Sequence, residues 1–418
     1  MDAYLLGAGF SKAFHSPMPL MGELGEQVVK ELGLVPDPLG PFAGDLEGWL
    51  SYLASRQPWD DLPTSLENEA TFTRASAAIA ECIARASKDA DPREIEMQQQ
   101  LERLVLDWRI HHSPVLTFNY DLLLEKAVRA RDPMVTVWDL YPAPLVLRET
   151  PAVGMQYGAA PPPRHPWFGL HKLHGSINWF HSTSNSTGPV TMVTADPSLV
   201  TQGEGRQRYL FSDLQPLIVP PTSTKSGFYA GDAIRALWST AADSLRAAER
   251  LVVIGYSFPP SDLQVLTMLR RTLHPDAHVV VVTADPCVEK RVRAAFVGRQ
   301  IEALVDDDAA NLFVNRSCGP VIEWEYLSQL GGEEQWLTVF GKTLPRFVPG
   351  LVDGSPDARA LNDLAAAWPS IRSTWREEAS APRSGHRRFT AYVDRAEWEV
   401  CPDPWSSPAL RSARPPKD

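Results

Sequence analysis

Leu251-Val252-Val253-Ile254-Gly255-Tyr256-Ser257 reads as a strand that is apolar on both faces and stops at a glycine and a serine. Pro259, Pro260, Ser261 and Asp262 then open a helix over residues 263–273, with Ser261 or Asp262 as its N-cap. Residues 279–282 repeat the pattern, ending in Thr283-Ala284-Asp285-Pro286 with a helix over 288–296 behind them. An acidic residue such as Asp285 after a sheet strand suits ribose hydroxyls, and it suits a turn before proline equally well. Uninterrupted apolar strands alternating with helices belong to a parallel sheet covered on both faces. The sequence therefore predicts an α/β fold built on a doubly wound parallel sheet.

Two further stretches follow the same logic. Ala3-Tyr4-Leu5-Leu6 is a short apolar strand that runs into Gly7-Ala8-Gly9-Phe10-Ser11-Lys12. Two glycines there permit a tight turn and a close approach of backbone to a pyrophosphate. The third glycine of the dinucleotide fingerprint is missing, and no acidic residue closes a second strand about 20 residues on. A plain strand-to-helix turn thus stays open beside the phosphate loop. Val115-Leu116-Thr117 is a second short strand, entered at Pro114 and stopped by Phe118-Asn119-Tyr120-Asp121. Ligands of open α/β sheets gather beyond the carboxyl ends of strands, which places Asn119 and Asp121, two apart in extended chain, at one crevice. Residues 168–173 form another strand that delivers His174, an acid–base side chain, before Gly175. His171 alternates to the other face and reads as structural, and with the two rings pointing apart the pair is a poor metal site.

Around these strands lie less regular regions. Residues 20–112 read as a helical insertion, with helices over 21–34, 67–86 and 93–112. In the last of these Leu101, Leu104, Val105 and Trp108 share one face, and His111 and His112 read as a solvated helix end. A helix over 122–131 and a strand over 135–138 follow. Pro142, Pro144, Pro151, Pro161, Pro162, Pro163 and Pro166 make residues 141–166 an irregular connection, either a lid or a linker. Strands are expected over 177–180 and 216–222, a polar turn over 182–188 and a helix over 230–248. Beyond Trp324 the sheet signal fades. Residues 311–418 are expected to be a C-terminal extension, either a small domain or an oligomerisation element, whose last residues (402–418) read as disordered.

The totals narrow the function classes. The chain has 418 residues, 44% apolar and 22% charged, an ordinary globular balance. Its formal net charge is −11 and no lysine or arginine run interrupts it, which argues against direct nucleic-acid binding as the main activity. Cys82, Cys287, Cys318 and Cys401 are scattered with no CxxC pair, so neither structural zinc nor a disulfide framework is expected. No apolar run reaches the roughly 18 residues of a membrane span, and the chain opens directly on a strand with no room for a signal peptide. A soluble, cytoplasmic protein is the expectation.

Gly7-Ala8-Gly9-Phe10-Ser11, Thr117-Phe118-Asn119-Tyr120-Asp121, His174-Gly175, Gly255-Tyr256-Ser257 and Thr283-Ala284-Asp285 occur in the order found in sirtuins. Their wording most resembles the SIR2-like NADases of bacterial anti-phage defence, over roughly residues 1–310. The resemblance implies a sirtuin-type, Rossmann-like domain that binds NAD. Gly7, Ala8, Gly9 and Ser11 match its phosphate loop, with Thr117 and Asp262 also on the cofactor-binding side. Asn119 matches the asparagine beside the nicotinamide ribose, Asp121 the aspartate that holds the carboxamide, and His174 the general base. Gly255 and Ser257 match a second phosphate and ribose contact, and Asp285 falls on the adenosine side.

Two departures bear on activity. The four-cysteine zinc module of the deacetylases is missing, and Phe14-His15-Ser16-Pro17-Met18-Pro19 stands where they carry proline-aspartate-phenylalanine-arginine. The resemblance thus favours hydrolysis of NAD+ to nicotinamide and ADP-ribose over protein deacylation or ADP-ribosyl transfer. A non-catalytic NAD or ADP-ribose sensor is the remaining class. A toxic NADase has to be held inactive, which implies control by homo-oligomerisation, by a partner such as a HerA-like ATPase or a short Argonaute, or by a phage trigger.

Overall fold

The computed structural model describes residues 1–33, 42–89, 91, 93–132, 135, 137–142, 146–147, 167–182, 192–193, 214–223, 225, 227–329, 332–339, 342–347, 368–377 and 386–400. The chain divides into two compact units, one of residues 1–101 and 112–311, the other of residues 102–111 and 312–418.

The first unit is built on strands β1 (Asp2–Leu6), β2 (Val115–Thr117), β4 (Leu170–Lys172), β8 (Arg250–Ile254), β9 (His278–Thr283) and β10 (Ile301–Val305). They form one sheet in the order β10-β9-β8-β1-β2-β4, with every pairing parallel. Ala3 to Leu6 and Leu251 to Ile254 are at most 2% exposed, as strands covered on both faces must be. Each such large apolar side chain contributes about 1.5–3 kcal/mol on burial. Helices α1 (Ala8–Phe14), α6 (Leu123–Arg131), α8 (Asp232–Arg246), α9 (Leu263–Thr272) and α10 (Pro286–Ala295) follow the strands in sequence. The expected doubly wound α/β sheet is thus present.

Between β1 and β2 stand α2 (Met21–Glu31), α3 (Leu46–Leu53), α4 (Leu62–Ala86) and α5 (Glu94–His111). Leu24 and Val28, Trp49 and Leu50, and Ile79 and Ile83 pack α2, α3 and α4 into one apolar cluster. The α4 helix starts five residues before the sequence expectation because the Asp61 carboxylate accepts from the Thr64 N–H and Pro63 sits in the first turn. Periodicity does not single out the short α3 helix, although Asp45 caps it in the same way through the Gly48 N–H.

One element is corrected: the strand expected over residues 135–138 is replaced by helix α7 (Val137–Leu140). An apolar run this short carries no period that separates the two states. A second, four-stranded sheet joins β3 (Val146–Leu147), β5 (Gly175–Ser182), β6 (Met192–Val193) and β7 (Leu214–Ile218) in the order β3-β6-β5-β7. Most of the proline-rich connection and of the 182–188 turn lies outside the described residues, as does the 402–418 tail.

The second unit corrects the expectation that sheet structure fades after Trp324. Strands β11 (Val321–Gln329), β12 (Gly332–Val339), β13 (Lys342–Phe347), β14 (Arg376–Glu377) and β15 (His386–Tyr392) make a five-stranded antiparallel sheet in the order β13-β12-β11-β15-β14. Charged residues such as Glu323, Glu325, Glu333 and Glu334 interrupt its strands, so a search for continuous apolar runs passes over them.

His111 in this unit is a bonded group, in contrast to the solvated helix end expected. Its Nδ1 lies 3.0 Å from the Asp107 carbonyl and its Nε2 3.1 Å from Asp394 Oδ2. The carboxylates of Asp107 and then Asp394 raise its pKa from 6.5 to about 10, and His111 in turn lowers that of Asp394. A histidine with a raised folded pKa stabilises fully below 6.5 and loses that contribution as pH climbs through about 10. The lowered carboxyl loses its own as pH falls below the ordinary aspartate range. The stability difference between the wild-type protein and His111→Gln is therefore expected to be greatest near pH 5–6 and to shrink toward pH 10, as thermal unfolding at several pH values would show. A difference that grows with pH contradicts this pairing.

Candidate functional site

The strand order reverses between β1 and β8, one strand leading outward to β2 and β4 and the other to β9 and β10. Open α/β sheets bind ligands beyond the carboxyl ends at such a point. Here the two glycine turns meet. The Gly7 N–H donates to the Ile254 carbonyl at 3.1 Å and the Gly9 N–H to that of Gly255 at 2.9 Å. A Cβ on Gly7 would lie 2.6 Å from the Gly255 oxygen, and one on Gly9 2.9 Å from the Gly255 Cα. Gly255 itself has φ +62°, and its Cβ would come within 2.1 Å of the Phe10 nitrogen. The glycines thus let one turn lie against the other, a demand of the chain's own packing that holds with or without a ligand.

Beside this turn Ser11, Thr117, Asn119 and Asp121 converge. The Ser11 hydroxyl, on α1, donates to Asp121 Oδ2 at 2.6 Å. Asn119 Nδ2 donates to the Gly7 carbonyl and to Ser11 Oγ, each at 2.8 Å, while its backbone N–H reaches Thr117 Oγ1 at 3.1 Å. Both Asn119 amide hydrogens are thereby used, and the side chain offers its carbonyl oxygen, an acceptor for a water or a hydroxyl. Asp121 Oδ1 accepts from the Leu123 N–H at the start of α6. A cavity of about 10 Å³ adjoins Ser11, Thr117, Asn119 and Asp121, room for about one water.

Lys172 holds this loop from below. Its ammonium, 1% exposed, donates to the Asp121 carbonyl at 2.5 Å and to Glu125 Oε1 at 3.0 Å, and the Tyr141 hydroxyl donates to the same Glu125 oxygen. Sequence reasoning misses Lys172. A lysine inside the otherwise apolar strand Leu170–Lys172 is the available signal, since lysine is almost never fully buried unless paired.

His174 sits apart from that cluster, in aromatic surroundings. Its ring lies 4.8 Å from Phe118 and stacks on Tyr229, whose hydroxyl is 3.2 Å from Nε2. Tyr256 touches the other partner, Phe118, at 4.8 Å. Desolvation, with help from the Lys225 ammonium, pushes the His174 pKa down to about 3, and Asp262 opposes this. An ordinary imidazole titrates near 6.5, so the enclosed ring is a much weaker base than a free histidine. The imidazole is neutral and weakly basic here, and it gains basicity where water or an anion reaches it or where Lys225 withdraws. His171, also buried and pushed down to about 4, faces Thr240 Oγ1.

The remaining expected residues are spread along the ends of the other strands. Ala8 opens α1 and is exposed, and so is Ser257, whose carbonyl accepts from Arg291. Asp262 occupies the N-cap position of α9, but its side chain does not cap: it accepts from Tyr256 at 2.6 Å and pairs with the buried Lys225. Asp285 caps α10 through the Cys287 N–H at 2.8 Å and pairs with Arg291 at 3.2 Å, so its turn role is satisfied within the chain.

Residues 113–304, which include four of the six strands of this sheet, match a family model described as the SIR2-like domain. Solved structures of this class align over much of the chain. One, described under the mechanism and regulation of Sir2 enzymes, has 13% identity, covers 75% of this chain and 89% of its own, and has a TM-score of 0.37. A Sir2 homologue mutant in complex with ADP ribose has the same identity and coverage and a TM-score of 0.35. Sir2Tm bound to a propionylated peptide, also at 13%, covers 76% and 91% with a TM-score of 0.32. No curated protein matches in sequence. Among the described residues no helix is long and apolar enough to cross a membrane.

Proposed function

We propose that the protein is a NAD+ glycohydrolase that cleaves NAD+ to nicotinamide and ADP-ribose. The observation that carries this reading is the convergence of Ser11, Asn119 and Asp121 beside the paired glycine turns, at the reversal of a parallel sheet. Breaking the ribose–nicotinamide bond expels a neutral molecule from a cation, so acid catalysis contributes little. The step instead needs dipoles that face an oxocarbenium-like ribose and a well-placed water. In this reading the Asn119 carbonyl oxygen holds that water or a ribose hydroxyl, Asp121 orients the carboxamide and His174 receives the proton. Gly7, Ala8, Gly9, Thr117, Gly255, Ser257, Asp262 and Asp285 line the remainder of the dinucleotide path.

Asn119→Ala is expected to lower the rate of nicotinamide release about 10²-fold, the usual cost of one positioned dipole. His174→Ala should lose a comparable 10²-fold or more. Chromatography of NAD+ with purified protein, without any acylated protein, measures both. Full activity in both variants would refute the assignment. Release that appears only with an acylated or acceptor protein would shift it to deacylation or ADP-ribosyl transfer, and tight binding without turnover to a sensor. The context we propose is depletion of NAD in defence against phage, with activity released by homo-oligomerisation, a partner protein or an infection signal.

A further inference from the structure

Three large apolar side chains stand exposed at the start of α4. Trp59, just before the Asp61 cap, is 76% exposed, and Leu62 and Leu66, one helical turn apart, are 63% and 51% exposed. The helix buries other positions, among them Ala75, Ile79 and Ile83. A single exposed leucine is ordinary, but a tryptophan with two leucines at helical spacing has the make-up of an interface anchor. Asp60, Asp61 and Glu67 stand among these residues, and among the described residues none of the three has a cationic partner. Asp60 accepts from the Asn68 side chain and Asp61 from the Thr64 N–H.

A surface of the opposite charge lies over α9. Tyr229, Trp238, Leu263 and Met268 line a groove of about 460 Å³ between α8 and α9. Leu263, 63% exposed, also borders a second cavity of about 270 Å³ toward α10, beside Phe258 and Leu266. Arg270 lines that cavity, and Arg271 follows Met268 by three residues and Thr267 by four, which puts it on the groove side of the helix. Arg270 Nε donates to the Ala295 carbonyl at 2.8 Å, and among the described residues neither arginine has a carboxylate partner. Arg235, on the far wall of the groove, is already balanced by Asp232.

On a chain of net charge −11, arginines with no acid beside them are exceptional, and the start of α4 carries the acids that would match them. Two α4 faces laid together would set carboxylate against carboxylate, whereas α4 against α9 sets acid against arginine around an apolar centre. We infer that the α4 face of one copy docks in the α9 groove of a second copy, with Trp59 as the anchor. The two patches differ, so the contact is heterologous, and successive copies join into a ring or a filament. This gives the homo-oligomerisation named above a definite surface. Its readout is size, so the assembly and NAD+ cleavage stand or fall separately.

Sedimentation velocity of the full chain tests the contact. The wild-type protein is expected to form assemblies that grow with concentration over the micromolar range. Trp59→Glu and Leu263→Glu should each weaken self-association at least about 30-fold and leave monomers. Both positions are exposed, so circular dichroism and melting temperature should match the wild type. An equimolar mixture of the two variants should give a one-to-one dimer and nothing larger, because each copy keeps one intact face. A wild-type protein that stays monomeric over that range, or assembly undiminished in either variant, would overturn the inference. A mixture that stays monomeric would overturn it as well, since the two faces then do not meet each other.

Discussion

Lys172→Met is expected to remove about 3–5 kcal/mol of folding stability, the cost of leaving one member of a buried ion pair behind. Methionine fills nearly the same volume, so packing changes little. What goes is the buried ammonium that meets Glu125 and the Asp121 carbonyl. Glu125 then has the Tyr141 hydroxyl as its remaining described side-chain partner. Urea unfolding of the single variant, of Glu125→Gln and of the double variant measures the effect. The double variant should recover much of the loss, because a pair of neutral groups carries no stranded charge. A single variant as stable as the wild type would show that the buried pair contributes nothing to this fold. The loop of Asn119 and Asp121 rests on the same lysine, so under the proposed function nicotinamide release should fall along with stability.

Gly255→Ala should cost about 2–5 kcal/mol, from two sources. An L-residue at φ +62° meets about 1–2 kcal/mol of backbone strain. Its Cβ also comes 2.1 Å from the Phe10 nitrogen, which belongs to rigid backbone and cannot swing aside; overpacking of this kind costs about 1–3 kcal/mol. Gly33 separates the two effects. It has φ +63° and nothing within 4 Å of its would-be Cβ, so Gly33→Ala carries the strain alone. Equal shifts of the urea midpoint in the two variants would mean that the two turns are not pressed together as described.

The sheet was legible because its strands are buried on both faces. Runs such as Val252-Val253-Ile254 and Val279 to Val282 have no polar position, and few structures other than a covered parallel sheet produce that pattern. The antiparallel strands after residue 320 were not legible, since charged residues such as Glu323 and Glu325 break up the apolar signal. At the site, the spacing of Asn119 and Asp121 was enough to place them at one crevice, and Ser11 meets both. Lys172, Tyr229 and Lys225 were missed for a common reason. Each acts through a partner more than 30 residues away, namely Glu125, His174 and Asp262. No local pattern carries such a relation. The low basicity of His174 was hidden similarly, for desolvation is a property of the assembled fold.

Strand β1 has its two neighbours far apart in the chain, β2 at residues 115–117 and β8 at residues 250–254. On a ribosome adding about 5–20 residues per second, the second neighbour emerges roughly ten seconds after the first. During that interval one edge of an apolar strand lies open, a template for pairing with other chains. The glycine turn at its end also waits, because its counterpart at Gly255 is still to be made. The crevice at the sheet reversal therefore cannot form until synthesis has passed residue 255. A nascent chain released before that point should lack the crevice and, with an apolar strand edge open, be prone to aggregate.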